Sequence, residues 1–156
     1  MSEAADDDPG VLIFPPLLFV ICVAVGGIAY LLRPYRVNLG PWVRALGVVL
    51  VLAGVALARW GKRAMRAAGT NIRPDLPATA IVGDGPFGFT RNPLYLSLLA
   101  LFAGIGVAVE SLTFLAVLVP FALVLHFGVV LREERYLEAK FGDTYRAYKS
   151  RVRRWI

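Results

Sequence analysis

Cysteine and histidine are nearly absent. The 156 residues hold one of each, Cys22 and His126. A single cysteine excludes a disulfide framework and a cysteine-rich metal site, and a single histidine excludes a multi-histidine centre. Charge is also scarce, at 18% of residues against 58% hydrophobic, where soluble domains average about 25% and 45–50%. A globule of 17.0 kDa cannot hide that much apolar surface from water. The mean hydropathy of +0.64 excludes a disordered chain as well, and points to lipid as the solvent. No P-loop or nucleophile elbow is present, and Gly104-Ile105-Gly106 is too short for a dinucleotide fingerprint. There is no internal repeat and no low-complexity tract.

What is present is a series of long apolar runs. Residues 11–32 are 22 uncharged residues in succession, enough to cross a hydrocarbon core of about 30 Å at 1.5 Å per residue. The run exceeds a signal-peptide h-region and follows an acidic start (Glu3, Asp6, Asp7, Asp8), so we read it as a retained anchor. Residues 42–60 form a second span with Trp42 and Trp60 at its ends and Arg44 and Arg59 able to snorkel. Residues 94–131 are 38 residues with one charge, Glu110. That is roughly twice a bilayer if helical. A hairpin with Glu110 and Ser111 at its tip is expected, giving spans at 94–109 and 112–131, with Pro120 kinking the latter. The expected fold is an all-α integral membrane protein of four transmembrane helices, with a loop and C-terminal amphipathic helices on one face. Residues 1–60 read as an N-terminal hairpin. Residues 61–156 read as the functional region: loop 61–93, hairpin 94–131 and tail 132–156.

The charges set the orientation. Of the 17 basic residues, 14 are arginine. The stretch 59–91 carries six and the tail from Arg132 eight, against three at Arg33, Arg36 and Arg44. By the positive-inside rule both termini and the long loop face the cytoplasm. The excess of +6 fits an anionic leaflet rather than nucleic acid. In the tail, Gly142 is a candidate helix C-cap, with Asp143 or Thr144 capping a new helix. Tyr145, Tyr148, Val152 and Trp155 then share one face of an interfacial helix.

Three places could carry chemistry. The segment from Gly85 to Tyr95 brings a turn, two aromatics, Arg91, Asn92 and Pro93 to the mouth of the third span. Its free helix N–H groups suit a polar or anionic ligand, or it is simply a helix entry with a snorkelling arginine. Glu133 and Glu134 point about 100° apart on a helix. One could hold a ligand ammonium or ribose hydroxyls, or both belong to a solvated cluster with Arg132 and Arg135. His126 lies inside the fourth span, where a polar group is either functional or bonded to a neighbouring helix. Gly47, Gly54, Ala56, Gly104 and Gly106 permit close helix packing.

The succession Gly85-Pro86-Phe87, Arg91-Asn92-Pro93-Leu94-Tyr95-Leu96, an apolar hairpin, then Glu133-Glu134 with Leu137, Phe141-Gly142, Tyr145 and Tyr148, and a final Arg151-Val152-Arg153, resembles the isoprenylcysteine carboxyl methyltransferase family. Phospholipid methyltransferases are its more distant relatives. The resemblance covers about residues 69–156. It implies an integral-membrane enzyme that uses S-adenosylmethionine, releases S-adenosylhomocysteine and holds both in a cytoplasmic pocket. Thr79, Ala80, Ile81, Val82 and Phe87 match the loop that lines the cofactor. Asn92, Pro93, Leu94 and Tyr95 match the next stretch, and Glu133, with Glu134 beside it, matches the acidic cofactor-binding position. Arg91, Asn92, Tyr95 and Arg132 are the residues expected nearest the reaction.

The sequence departs from the family at Asn92, where eukaryotic enzymes carry histidine, and at Ser97, in place of a common glycine. Arg153 stands where a proline usually follows the valine. The position of their substrate arginine falls on Val129, about a turn before Arg132. The resemblance thus implies the cofactor more firmly than the acceptor. Expected partners are the bilayer of a bacterial inner membrane and a lipophilic acceptor, without metal or nucleic acid. Two other readings stay open. One is a sterol-reductase-like enzyme with Arg63, Arg66 and Arg73 around an NADPH phosphate; the other is a four-helix membrane scaffold without catalysis.

Overall fold

The computed structural model describes residues 9–32, 35 and 37–156. The acidic start (Glu3, Asp6, Asp7, Asp8) and Arg33 and Arg36 lie outside the described residues. The order is α1 (Pro15–Leu32), α2 (Pro41–Ala67), a 3-10 turn (Gly85–Gly88), α3 (Pro93–Ala108), α4 (Leu112–Ala116), α5 (Leu118–Leu125), a π turn (His126–Val130), α6 (Leu131–Phe141) and α7 (Asp143–Arg151). The protein is all-α. Among the described residues, three helices are long and apolar enough to cross a membrane: α1, α2 and the rod Leu112–Phe141; α3 is a shorter apolar helix.

Apolar residues cover the outside as well as the core. Leu17, Val20 and Ile28 on α1 and Leu46, Val49 and Leu52 on α2 are all exposed, the pattern of helices solvated by lipid tails. The buried residues of α2 are glycines alone: Gly47, Gly54 and Gly61. A Cβ at Gly47 would run into the backbone of Ala108, and one at Gly54 would sit 3.0 Å from the Ser97 carbonyl. These glycines let α2 and α3 pack backbone to backbone, the device that replaces hydrophobic driving force in a bilayer. Phe102 fills the middle of the bundle, fully buried, stacked on Phe114 with ring centres 4.6 Å apart and tilted against Phe121 at 5.5 Å.

The chain reverses after α3 where expected. Glu110 takes φ of +51°, a conformation that a non-glycine residue holds only when its surroundings fix it. Those surroundings are the open end of α2. Leu39 and Gly40 N–H groups donate to Glu110 Oε1, both at 3.1 Å, and Arg44 Nε donates to Oε2 at 2.9 Å. Arg44, expected to snorkel, is instead the counter-ion of the one charge in the hairpin. A helix break at Val117 comes one turn before Pro120, whose missing N–H leaves the Ala116 carbonyl without its helical donor.

Two boundaries differ from expectation. Helix α2 runs on to Ala67, because Arg63-Ala64-Met65-Arg66-Ala67 are good helix formers. It stops before Gly69 at φ +69°. The tail helix ends at Arg151, and Val152 is extended (φ −118°, ψ 130°). Val152 and Trp155 therefore do not continue the face of Tyr145 and Tyr148. The last residues form a strap, with Thr90 and Arg153 in a parallel bridge. Tyr145 and Tyr148 are buried against the protein rather than laid on the interface.

Candidate active site

Three segments converge at one end of the bundle: loop 69–92, helix α6 with the tail, and the stretch before α1. The loop is long, yet its polar groups are tied. Thr79 N–H donates to Thr70 Oγ1 at 3.1 Å and Thr79 Oγ1 to the Gly69 carbonyl at 2.9 Å. Asn71 Nδ2 donates to the Pro77 carbonyl at 2.8 Å, and Ala78 N–H to the Tyr136 hydroxyl on α6 at 3.2 Å. The 3-10 turn is held by Tyr148, whose hydroxyl donates to the Phe87 carbonyl at 2.8 Å.

The strap closes the other side. Arg91 N–H donates to the Arg153 carbonyl at 2.9 Å. The Arg154 carbonyl accepts from Thr90 Oγ1 and Asn92 Nδ2, each at 3.0 Å. Buried Asn92 thus spends its amide on the strap. Arg154 also grips Glu134 with two parallel bonds of 2.9 Å, the strong bidentate form. Glu134 is buried and has Arg91 Nη1 as a second cation at 3.2 Å. On the opposite side, Leu12 N–H donates to the Gly128 carbonyl in the π turn at 2.9 Å, and Arg132 Nη1 donates to the Gly10 carbonyl at 3.0 Å.

Between these segments lies a cleft with about 700 Å³ of empty space, open solvent at its mouth included. Of the sequence candidates, Ala80, Ile81, Val82, Phe87, Arg91, Asn92, Glu133 and Glu134 line it. Thr79 is turned to its loop bonds, and Pro93 is fully buried in the first turn of α3. Leu94 and Tyr95 line a second cleft. Arg132, exposed on α6 and bound to Gly10, points away. Val129, where the family's substrate arginine would fall, is fully buried in the core. His126 lines neither cleft; its ring centre lies 6.0 Å from that of Trp155 in the last residues of the chain. Of Arg63, Arg66 and Arg73, only Arg73 lines a cleft.

Sequence reasoning missed Ile72, Tyr136, Tyr145 and Tyr148 in the wall, and named Arg73 there only in the reductase reading. The helical spacing of Tyr145 and Tyr148 points instead to the face of an interfacial helix, and nothing in the local pattern singles out Tyr136. The length and turn-rich composition of the loop are the signal for Ile72.

The two acidic residues have different fates. Glu134 is neutralised by two arginines. Glu133 accepts one hydrogen bond, from the Tyr95 hydroxyl at 2.6 Å, which leaves it a carboxylate oxygen for a ligand. Arg91 is its complement. Its side chain is 8% exposed and its Nη1 is paired with Glu134 at 3.2 Å; its Nε has no hydrogen-bond partner among the described residues. A buried guanidinium N–H without a partner at a cleft wall is a costly arrangement that a bound anion relieves. Tyr145 lies beside this pair. Burial first, and the Glu134 charge next, push its hydroxyl up to about 12, with Arg91 pulling the other way. Burial also raises the Tyr148 hydroxyl well above its ordinary value. Both therefore stay neutral donors at physiological pH.

This donor set offers one cation and one carboxylate to a ligand carrying both charges. Arg91 suits the carboxylate, Glu133 the ammonium or ribose hydroxyls, and Phe87, Tyr136 and Leu137 offer apolar wall. No group of three or more His, Cys, Asp or Glu residues that could hold a metal exists among the described residues.

The second cleft, with about 920 Å³ of empty space, lies between the start of α1, α2 and α3. Phe14, Ala58, Leu94, Leu98 and Leu101 are among its mostly apolar walls. Tyr95 connects the two clefts: it lines the apolar one, and its hydroxyl bonds Glu133, which lines the other.

Comparison with known proteins agrees with the motifs. The chain is 53% identical over 47 residues to an uncharacterized protein of Haemophilus influenzae, covering 30% of this chain and 73% of that protein. It is 32% identical over 106 residues to the cobalt-zinc-cadmium resistance protein CzcN of Cupriavidus metallidurans, covering 67% of this chain and 46% of CzcN. The chain therefore matches about half the length of the latter. No solved structure matches it. The phospholipid methyltransferase family model matches residues 42–144, from the start of α2 through the Glu133-Glu134 helix. The chain thus belongs to the phospholipid methyltransferase family, the group of isoprenylcysteine-methyltransferase-like membrane enzymes.

Proposed function

We propose that this membrane methyltransferase moves a methyl group from S-adenosylmethionine to a lipophilic small molecule bearing a carboxylate, amine or thiol. The observation that carries this reading is the pairing of one available carboxylate, Glu133, with a buried guanidinium, Arg91, whose Nε–H has no partner among the described residues, in a single cleft beside an apolar one. Glu133 would hold the ammonium or ribose hydroxyls and Arg91 the carboxylate of the cofactor. Tyr95 fixes Glu133 by donating to one of its oxygens. Arg154 holds Glu134, Glu134 pairs with Arg91 Nη1, and the Arg91 Nε–H is left for the ligand.

When bound, the cofactor supplies an activated methyl: the acceptor's lone pair forms the new bond to carbon as the carbon–sulfur pair returns to sulfur, giving S-adenosylhomocysteine. The protein's part is mainly alignment. A carboxylate acceptor needs no base. An amine or thiol must lose a proton, and Glu133 and Tyr95 are the titratable groups at the partition between the clefts.

Within this reading, residues 1–60 scaffold the catalytic region 61–156. The end carrying the loop and tail, with 14 of the 17 basic residues, faces the cytoplasm of a bacterial inner membrane. The test is calorimetric titration of the purified chain with S-adenosylhomocysteine. Micromolar binding, weakened at least about tenfold by Glu133→Ala through loss of one charge-assisted contact, is expected. Folded protein in lipid nanodiscs that binds no S-adenosylhomocysteine would overturn the reading.

A further inference from the structure

The two clefts share one short stretch of chain. Ile72, Arg73 and Pro74 line both, so Arg73 is the charged residue common to the polar cleft and the lipid-side cleft. Its guanidinium sits 5.7 Å from the Phe14 ring centre at the entry to α1. Its Nε donates to Asp75 Oδ1 at 3.0 Å, and its Nη2 to Oδ2. This pair is exposed, with Arg73 62% accessible, and exposed pairs contribute little. Another anion can therefore take the place of Asp75 at small cost. The rest of the lipid-side cleft sorts by chemistry. Leu94, Leu98, Leu101 and Ala58 offer apolar wall; Lys62 on α2 is a second cation; no carboxylate is among its lining residues. Apolar depth with cations at one end is the shape of a site for an anionic amphiphile.

We infer that Arg73 reads the charge of the methyl acceptor: an amphiphile lays its apolar chain in the cleft between α1, α2 and α3, and its anionic headgroup, a carboxylate or a phosphate monoester, replaces Asp75 on Arg73. The inference rests on the proposed methyltransferase function and adds the substrate class and a specificity-determining residue. Holding the headgroup on Arg73 sets it at the partition, where both clefts are within reach. A cationic amphiphile meets Lys62 and Arg73 and is rejected, the repulsive half of specificity.

The experiment uses the full chain in detergent and displacement of a fluorescent fatty acid by four probes sharing a dodecyl chain: the carboxylate, the phosphate monoester, the alcohol and the amine. The carboxylate or the phosphate is expected to bind about tenfold more tightly than the alcohol, the size of one hydrogen-bonded charge contact, and the amine weakest. The better of the two anions names the headgroup. Arg73→Gln should bring the anion down to the alcohol's affinity, Arg73→Lys should keep most of the preference, and Asp75→Asn should tighten anion binding severalfold. Equal affinity for anion and alcohol would overturn the inference. So would an Arg73→Gln variant that still prefers the anion. S-adenosylhomocysteine titration of the same samples reports the cofactor cleft separately. If that binding is absent while the Arg73-dependent anion preference holds, the methyltransferase reading fails and the amphiphile site stands.

Discussion

Replacing Arg154 with alanine tests how the last residues of the chain support the cleft. The side chain makes two bonds of 2.9 Å to Glu134; its backbone carbonyl, which receives Thr90 and Asn92, is untouched by the substitution. Removing one partner of a fully buried ion pair costs about 3–5 kcal/mol. Here Arg154 is 34% exposed and Glu134 keeps Arg91 at 3.2 Å, so about 2 kcal/mol is expected once solvent access and the remaining cation are allowed for. For a chain of this size that is a Tm lower by roughly 4–8 °C. The functional effect follows from the same geometry. Glu134, freed from Arg154, draws Arg91 into a closer pair and away from the cleft. S-Adenosylhomocysteine should then bind about tenfold more weakly, equivalent to about 1.4 kcal/mol. Arg154→Lys, which restores charge without the planar fork, should fall between the two. Thermal unfolding in detergent and calorimetry on the same preparations measure both numbers. An Arg154→Ala protein with unchanged Tm and unchanged affinity would refute the idea that Glu134 is held from two sides and that Arg91 depends on it.

Two further outcomes are expected. Gly54→Val should destabilise the α2–α3 packing by several kcal/mol, because the first added carbon already lies 3.0 Å from the Ser97 carbonyl and 2.9 Å from Leu101; a denaturation midpoint in detergent equal to that of the parent would contradict the close approach. Tyr145 should add to alkaline unfolding. Its hydroxyl ionises near the ordinary value of about 10 in the unfolded chain but only at about 12 when folded, so the unfolded state loses its proton first and stability falls as pH rises through that window, with no effect below it. Tyr145→Phe should flatten that part of the Tm–pH curve, and identical curves for the two proteins would rule the coupling out.

Much of the architecture was legible in the chain because bilayer physics acts on composition one segment at a time. The runs at 11–32, 42–60 and 94–131 and the reversal at Glu110 follow from hydropathy and a single charge, and α1, α2, α3 and the rod from Leu112 to Phe141 lie there. Where local propensity and lipid length disagreed, the structure followed propensity: α2 runs to Ala67 although the apolar stretch stops sooner. The tail misled for a different reason. Tyr145, Tyr148, Val152 and Trp155 have helical spacing, but Thr90 and the Arg91 N–H offer backbone and side-chain partners that draw 152–156 out of the helix. A pairing across more than 60 residues leaves no trace in a local pattern.

By itself, the sequence determined that lipid is the solvent, that the fold is helical, and that the Arg91–Tyr95 and Glu133–Glu134 motifs belong to the methyltransferase family. Period, length and motif are properties of neighbouring residues. Only the tertiary structure decided which of two adjacent carboxylates is spent and which is available. Glu134 is buried between Arg91 and Arg154, whereas Glu133, one residue earlier and turned by about 100°, meets only Tyr95. It also decided that Arg132 faces Gly10 rather than the cleft, and that Tyr95 stands between a polar site and an apolar one. Each outcome depends on which helix lies opposite, and that is fixed by the packing of glycines and aromatic rings distant in the chain.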